Sequence, residues 1–154
     1  MAREIERKFL VKGDEWRAGA EGVRLRQGYL SSVKERTVRI RTVGDRAYIT
    51  VKGLTVGVTR TEYEYEIPFD ECTAMLDRLA EKPLIEKVRY RIPFGGFIWE
   101  IDEFEGANAG LVVAEIELPD AGTPFEKPSW AGDEVSDDPR YFNSNLVRHP
   151  YTTW

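Results

Sequence analysis

In the stretch Glu4-Ile5-Glu6-Arg7-Lys8-Phe9-Leu10-Val11, Glu4, Glu6 and Lys8 fall on one side of a period-two repeat. Ile5, Phe9 and Val11 fall on the other side, with Arg7 the exception. A period of two puts successive side chains on opposite faces of an extended strand. The same period recurs over residues 37–41, 47–52, 60–67, 87–92, 97–104 and 112–118. Gly44-Asp45, Gly53 with Gly57, and Gly95-Gly96 punctuate these runs and predict consecutive antiparallel hairpins. Two helices are expected. Asp70 would cap the first, over 71–81, with Cys72, Met75, Leu76 and Leu79 on one face and Pro83 beyond its end. Ser136 would cap the second, over 137–147, with Pro139 in its first turn. Residues 121–132, rich in Pro and Gly, read as a surface crossing. There is no repeat and no linker, so the expectation is one domain, 1–154.

Composition narrows the chemistry. The 154 residues are 42% hydrophobic and 32% charged, with a net charge of -5. That balance argues against a general nucleic-acid binder, which needs a positive field. The single cysteine excludes a disulfide framework and a cysteine-rich zinc site within the chain, and the single histidine argues against a histidine-based metal site or a Ser-His-Asp triad. A metal would therefore sit on oxygen ligands, which favours hard divalent cations. The charged first residues do not form a signal peptide, and no apolar run is long enough to span a bilayer. The expectation is a cytoplasmic protein with no membrane and no nucleic acid as partner.

Collecting the charged face of each strand gives one set: Glu4, Glu6 and Lys8; Arg39 and Arg41; Lys52; Arg60, Glu62 and Glu64; Lys87 and Arg89; Glu100 and Asp102; Glu115 and Glu117. Any one of these strands could simply turn a wet face to solvent. Two features of the set argue for more. Its members are repeatedly ionic rather than Ser, Thr, Asn or Gln. Their signs are also sorted by strand: Arg39 and Arg41, or Lys87 and Arg89, are purely basic, while Glu100 and Asp102, or Glu115 and Glu117, are purely acidic. Like charges side by side on one strand are unfavourable without counter-charges. A metal–polyphosphate complex supplies both signs, with carboxylates on the cation and Arg and Lys on phosphate oxygens. A closed barrel with the ionic faces inward, its apolar outer faces covered by the two helices and the aromatics, follows from this reading. Trp99 belongs to the outer packing, Cys72 to the helix core, and His149 to the surface.

These motifs, in this order, resemble the CYTH superfamily of triphosphate tunnel metalloenzymes, whose signature ExExK matches Glu4-Ile5-Glu6-Arg7-Lys8. The resemblance runs through Val38-Arg39-Ile40-Arg41, Val51-Lys52, Glu62 to Glu66, Lys87-Val88-Arg89-Tyr90, Glu100-Ile101-Asp102 and Glu115-Ile116-Glu117. Trp130, Gly132, Glu134-Val135 and Arg140-Tyr141 resemble the bacterial branch. The resemblance implies a mainly β fold of the α+β class, a closed eight-stranded antiparallel tunnel with flanking helices, and Mg²⁺ or Mn²⁺ as cofactor. It implies metal ligation by Glu4, Glu6 and Glu117, and a role for Asp102 and Glu115 at a second metal or its waters. Glu62 and Glu64 would bind metal through water or neutralise the arginines. Lys8, Arg39, Arg41, Lys52, Lys87 and Arg89 are implied phosphate ligands, with Arg60 at the rim and Tyr29 near the phosphate tail. Glu4, Glu6, Lys8 and Lys87 are the implied catalytic residues. The implied activity is hydrolysis of inorganic triphosphate, with nucleoside triphosphates as further substrates, by a monomer or homodimer. Adenylate cyclase and thiamine triphosphatase are alternatives within the superfamily. A non-catalytic polyphosphate- or nucleotide-binding module is the alternative outside it. Only Met1-Ala2-Arg3 precede Glu4, which counts against the cyclase, a branch that carries extra residues there.

Overall fold

The computed structural model describes the backbone of residues 3–154 and the side chains of residues 5–154. Nine strands form one antiparallel sheet among the described residues: β1 (Arg3–Val11), β2 (Gly22–Ser31), β3 (Arg36–Val43), β4 (Arg46–Gly53), β5 (Thr59–Ile67), β6 (Ile85–Phe94), β7 (Phe97–Phe104), β8 (Val112–Glu117) and β9 (Ala131–Glu134). The spatial order is β5-β4-β3-β2-β6-β7-β8-β1-β9. Pairing of β5 with β1, with Glu4 opposite Arg60, closes β1 to β8 into an eight-stranded barrel. β9 is an added strand on the outside of β1.

The seven expected strands are present, each within a few residues of its expected bounds. The hairpin turns fall where the glycines are. Gly44, Gly95 and Gly96 have φ of 59°, 59° and 83°, conformations that side chains with a Cβ resist. Two strands were not expected. The β2 sequence loses its alternation at Gln27-Gly28, and Gly28 has a packing reason to be glycine. A Cβ there would lie 2.7 Å from the Ala80 Cβ and 2.9 Å from Leu84 Cδ2. The other is β9, which occupies part of the expected surface crossing. It also explains the exception at Arg7, whose outward guanidinium forks onto Glu134 at 2.9 and 2.7 Å.

The first helix, α1 (Phe69–Arg78), starts after Pro68 rather than Asp70. It lies on the outside of the barrel, where Cys72, Leu76 and Ala80 pack on Ile40 and Ala47. A second outer cluster, centred on Trp99 with Phe9, Ile101, Ile116, Trp16 and Trp130, covers β1, β7 and β8. Trp99 is thus outer packing, as expected, and His149 is exposed.

The expected second helix is corrected in both form and place. Ser136 caps nothing; its hydroxyl accepts from the Lys8 backbone N–H at 2.9 Å and donates to Glu134 at 2.6 Å. The segment breaks into a single 3-10 turn at Pro139–Tyr141, capped by Asp138, and a short helix α2 (Asn143–Arg148). Rather than covering the outside, α2 plugs one end of the lumen. Its Leu146 and Val147, with Tyr141, pack on Tyr29, Ile85, Phe104 and Val113. Those four belong to the lumen face, since Tyr29 lies opposite Arg39, Ile85 opposite Gln27, Phe104 opposite Lys87 and Val113 opposite Asp102. The lumen is therefore ionic along its middle and apolar at this end.

Candidate active site

The strand order sorts charge around the barrel. Lys52 on β4, Arg39 and Arg41 on β3, and Lys87 and Arg89 on β6 form a basic arc, with β2 in its middle. Glu100 and Asp102 on β7, Glu115 and Glu117 on β8, Glu6 on β1, and Glu62 and Glu64 on β5 form the facing acidic arc. Lys8, on β1, and Arg60, on β5, are the cations within the acidic arc. Both arcs line a cavity of about 190 Å³ that includes Glu6, Arg39, Arg41, Lys52, Glu115 and Glu117. A smaller cavity of about 60 Å³ adjoins it and is lined by Lys8, Tyr29, Thr37 and Arg60, among others. Glu6, Arg39, Lys52 and Asn143 line both.

At the floor of the basic arc, Lys87 and Asp102 are each 1% exposed and lie 2.7 Å apart. Arg89 forks onto the same carboxylate at 2.7 and 2.9 Å. Burial alone would raise the Asp102 pKa, but Arg89 and Lys87 hold it well below the ordinary carboxylate range. Burial pushes the Lys87 ammonium down to about 8, a shift only partly opposed by Asp102. For Arg89, burial is outweighed by Asp102, so its pKa is raised well above the ordinary value. Both Asp102 oxygens are thus engaged by cations. That carboxylate compensates charge beneath the basic arc.

Higher on the basic arc, Arg41 reaches Glu64 at 3.2 Å, and Arg39 reaches the Thr50 hydroxyl at 3.3 Å. Thr50 in turn donates to Glu64 at 2.8 Å. Burial, then the neighbouring Arg39 and Arg89, lower the Arg41 pKa to about 10, despite Glu64 and Glu100. This is a cation short of counter-charge. Glu64 thus lies against both arginines, 3.7 Å from Arg39 and 3.2 Å from Arg41. Lys52 lies 3.4 Å from Glu62 across the β4–β5 pair. Arg60 lies along the wall of the smaller cavity, donating to Gly53 O at 3.0 Å and Thr37 Oγ1 at 3.1 Å.

In the acidic arc, Glu6 lies directly opposite Glu117, and Lys8 opposite Glu115. The Lys8 ammonium is 3.6 Å from Glu115 and donates to the Tyr141 carbonyl at 3.0 Å. Glu115 is held at about 2: burial would raise it, but Lys8, Arg89 and Lys87 overcome burial and the repulsion of Asp102. Tyr29 lies beside Lys8 and Arg39, which only partly offset the rise that burial imposes on its phenol. The Glu4 side chain lies outside the described residues; its backbone continues the Glu6 face of β1. No group of three or more His, Cys, Asp or Glu close enough to hold a metal occurs among the described residues. Glu6 and Glu117 remain the facing carboxylate pair, and like charges directly opposite each other favour a cation between them. Every donor is an oxygen, which fits a hard divalent metal.

A family model for the CYTH domain matches residues 2–151. The chain belongs to the CYTH family. An inorganic triphosphatase of Acetivibrio thermocellus is 56% identical over 151 residues, covering 98% of this chain and 97% of that one. An inorganic triphosphatase of Nitrosomonas europaea is 37% identical over 153 residues, covering 94% and 96%. A solved crystal structure of an inorganic triphosphatase superposes with a TM-score of 0.65 at 34% identity, over 96% of this chain and 95% of the other. CYTH membership implies a divalent metal, which Glu6 and Glu117, with Glu4 by its place on β1, are suited to hold. Among the described residues, no helix is long and apolar enough to cross a membrane.

Several groups at this CYTH site are not apparent from the motifs. Thr50 sits two residues before Lys52 on the same strand, so the period-two rule alone would have found it. Asn143 lines the lumen from α2, and the Tyr141 contact to Lys8 uses a backbone carbonyl; neither has a sequence signal.

Proposed function

We propose that the chain, as one domain over residues 1–154, is a triphosphatase dependent on Mg²⁺ or Mn²⁺. It hydrolyses inorganic triphosphate to phosphate and diphosphate, and acts on nucleoside triphosphates more slowly. The observation that carries this reading is the division of one lumen into facing basic and acidic arcs. A metal-bound polyphosphate is a ligand with that same division of charge. In this reading the protein is cytoplasmic and acts as a monomer or homodimer.

The basic arc does the binding. Arg39, Arg41, Lys52 and Arg89 present N–H donors to phosphate oxygens, and Arg forks match those oxygens in pairs. Lys8 and Lys87 approach from the plugged side. Their charge, fixed before the reaction begins, offsets the negative charge that builds on the leaving diphosphate. Glu6, Glu117 and Glu4 of the acidic arc would hold the divalent metal, and Glu115 and Glu62 would complete the acidic lining around it. When bound, the metal supplies Lewis-acid charge neutralisation and lowers the pKa of a bound water. Water attacks the terminal phosphorus as its bond to the diphosphate oxygen breaks. The reaction therefore needs no covalent nucleophile. The apolar plug of α2 closes one end, so a linear anion lies along the ionic middle.

The decisive experiment offers triphosphate, diphosphate, ATP and thiamine triphosphate to purified protein with Mg²⁺ or Mn²⁺. Phosphate, diphosphate and cyclic AMP are scored separately. The expected result is the highest kcat/KM for triphosphate and no turnover without metal. Cyclic AMP as the main product, or no turnover of any substrate, would overturn the reading.

A further inference from the structure

Gln27 is at the centre of the basic arc and is 0% exposed. Neither its amide oxygen nor its amide nitrogen has a hydrogen-bond partner among the described residues. It shares the lumen face of β2 with Tyr29 and lies directly opposite Arg41 of β3. Directly opposed residues on paired strands have Cβ atoms about 4.5–5.5 Å apart, within reach of side-chain hydrogen bonding. Arg39 is the diagonal neighbour on the same face.

The two arginines have the complementary deficiency. The Nε of Arg39 and the Nε of Arg41 are both buried without an acceptor. Each sends Nη2 away from Gln27, toward β4 and β5, Arg41 to Glu64 and Arg39 to Thr50. An acceptor lacking a donor thus stands across the strand pair from N–H groups lacking an acceptor. Buried polar groups are almost always satisfied, and an apolar side chain of similar size would serve the fold better here. Local rules of this kind are broken where function requires it.

We propose that Gln27 is a positioning residue for Arg41. When triphosphate draws the Nη groups of Arg41 off Glu64 toward the lumen axis, Gln27 Oε1 accepts the Arg41 Nε–H. That contact fixes one edge of the planar guanidinium and leaves both Nη groups aimed at phosphate oxygens. Gln27 lines neither lumen cavity, so it acts through the arginine rather than on the substrate. The proposal rests on the triphosphatase reading for the identity of the anion.

The test compares wild type with Gln27→Leu, Arg41→Lys and the double variant. Three readouts are taken: thermal midpoint without ligand, inorganic triphosphate affinity by calorimetry without added metal, and the KM–kcat split with Mg²⁺. Gln27→Leu should melt at or above the wild-type temperature. Its triphosphate affinity should fall about tenfold, the scale of one lost hydrogen bond to a charged group. The rise should appear in KM more than in kcat. In the Arg41→Lys background, which has no Nε fork, Gln27→Leu should add less than twofold. Affinity within twofold of wild type in Gln27→Leu, a midpoint several degrees lower, or full additivity with Arg41→Lys would each overturn the proposal. Absence of triphosphate binding by wild type would instead remove the triphosphatase reading, and this proposal with it.

Discussion

Lys87 and Asp102 meet at 2.7 Å in the floor of the lumen, and the same carboxylate takes a two-pronged contact from Arg89. One negative charge thus compensates two buried cations. Removing one member of a buried ion pair leaves an uncompensated charge in the interior, which costs about 3–5 kcal/mol. Asp102→Asn should therefore destabilise the fold on that scale in chemical unfolding. Lys87→Met should cost less, because Arg89 still satisfies the carboxylate. A loss under about 1 kcal/mol in Asp102→Asn would show that the cluster does not hold the floor.

Arg39 and Arg41 also share one carboxylate, Glu64, at 3.7 and 3.2 Å. Arg41 is pushed down to about 10 by burial and by Arg39 and Arg89. Arg39→Ala and Arg41→Ala should each fold normally, with a melting temperature equal to wild type or slightly higher. Triphosphate affinity should drop about tenfold or more in each, the scale of a charge-assisted hydrogen bond. Calorimetry and thermal melts check both halves. A large fall in melting temperature for both variants would make the two arginines structural instead.

Glu6 faces Glu117 across β1 and β8, and one acidic side chain next to another is what a divalent cation requires. Glu6→Gln preserves shape and removes charge. Turnover should fall at least about a hundredfold, a loss of roughly 2.7 kcal/mol of transition-state stabilisation. Raised Mn²⁺ should restore part of it, and the fold should survive because acidic repulsion is relieved. Glu4→Gln should behave alike. Near-normal turnover in both variants would remove the metal site from this part of the lumen.

Outside the lumen, Arg17 forks onto Glu103 at 3.0 and 2.7 Å. The hydrogen bond from Arg17 holds the Glu103 carboxyl below its ordinary value of 4.5. Above pH 4.5 the carboxylate is ionised whether the chain is folded or not, so the whole contribution of the pair is present. As pH falls through the lower folded value, the native carboxylate takes a proton and the contribution is lost. The pair is partly exposed, so its worth is about 0.2–1 kcal/mol. Melting curves of wild type and Glu103→Gln should differ at pH 7 and converge as the pH falls below 4.5. A gap that does not narrow with falling pH would contradict the linkage.

Most of the lumen wall was legible in the sequence because a strand repeats every two residues. Charged pairs such as Arg39 with Arg41, or Glu115 with Glu117, could not be placed on different faces of one strand. β2 escaped because its lumen face runs Val23, Leu25, Gln27, Tyr29, which offers neither clean alternation nor charge. β9 escaped because four residues, Ala131–Glu134, are too few to show a period. The 3-10 turn and α2 were read as one helix because Ser136 resembles a cap and Pro139 suits a first turn. Such signals mark where a helix could start, not how far it runs or what it packs against.

By itself the sequence determined seven of the nine strands, the charged face of each, and the oxygen-only chemistry open to a metal, since these depend on local period and composition. Tertiary structure alone decided which strands stand side by side beyond the hairpins. Chain order mixes basic and acidic strands, and only the pairing of β2 with β6 and of β1 with β5 gathers each sign into its own half of the barrel. Long-range packing also laid Tyr141 and Leu146 across one end of the lumen. Side-chain spacing along a strand is set by bonds between neighbours in sequence. Sheet order is set by contacts between residues tens of positions apart, and no local pattern encodes those.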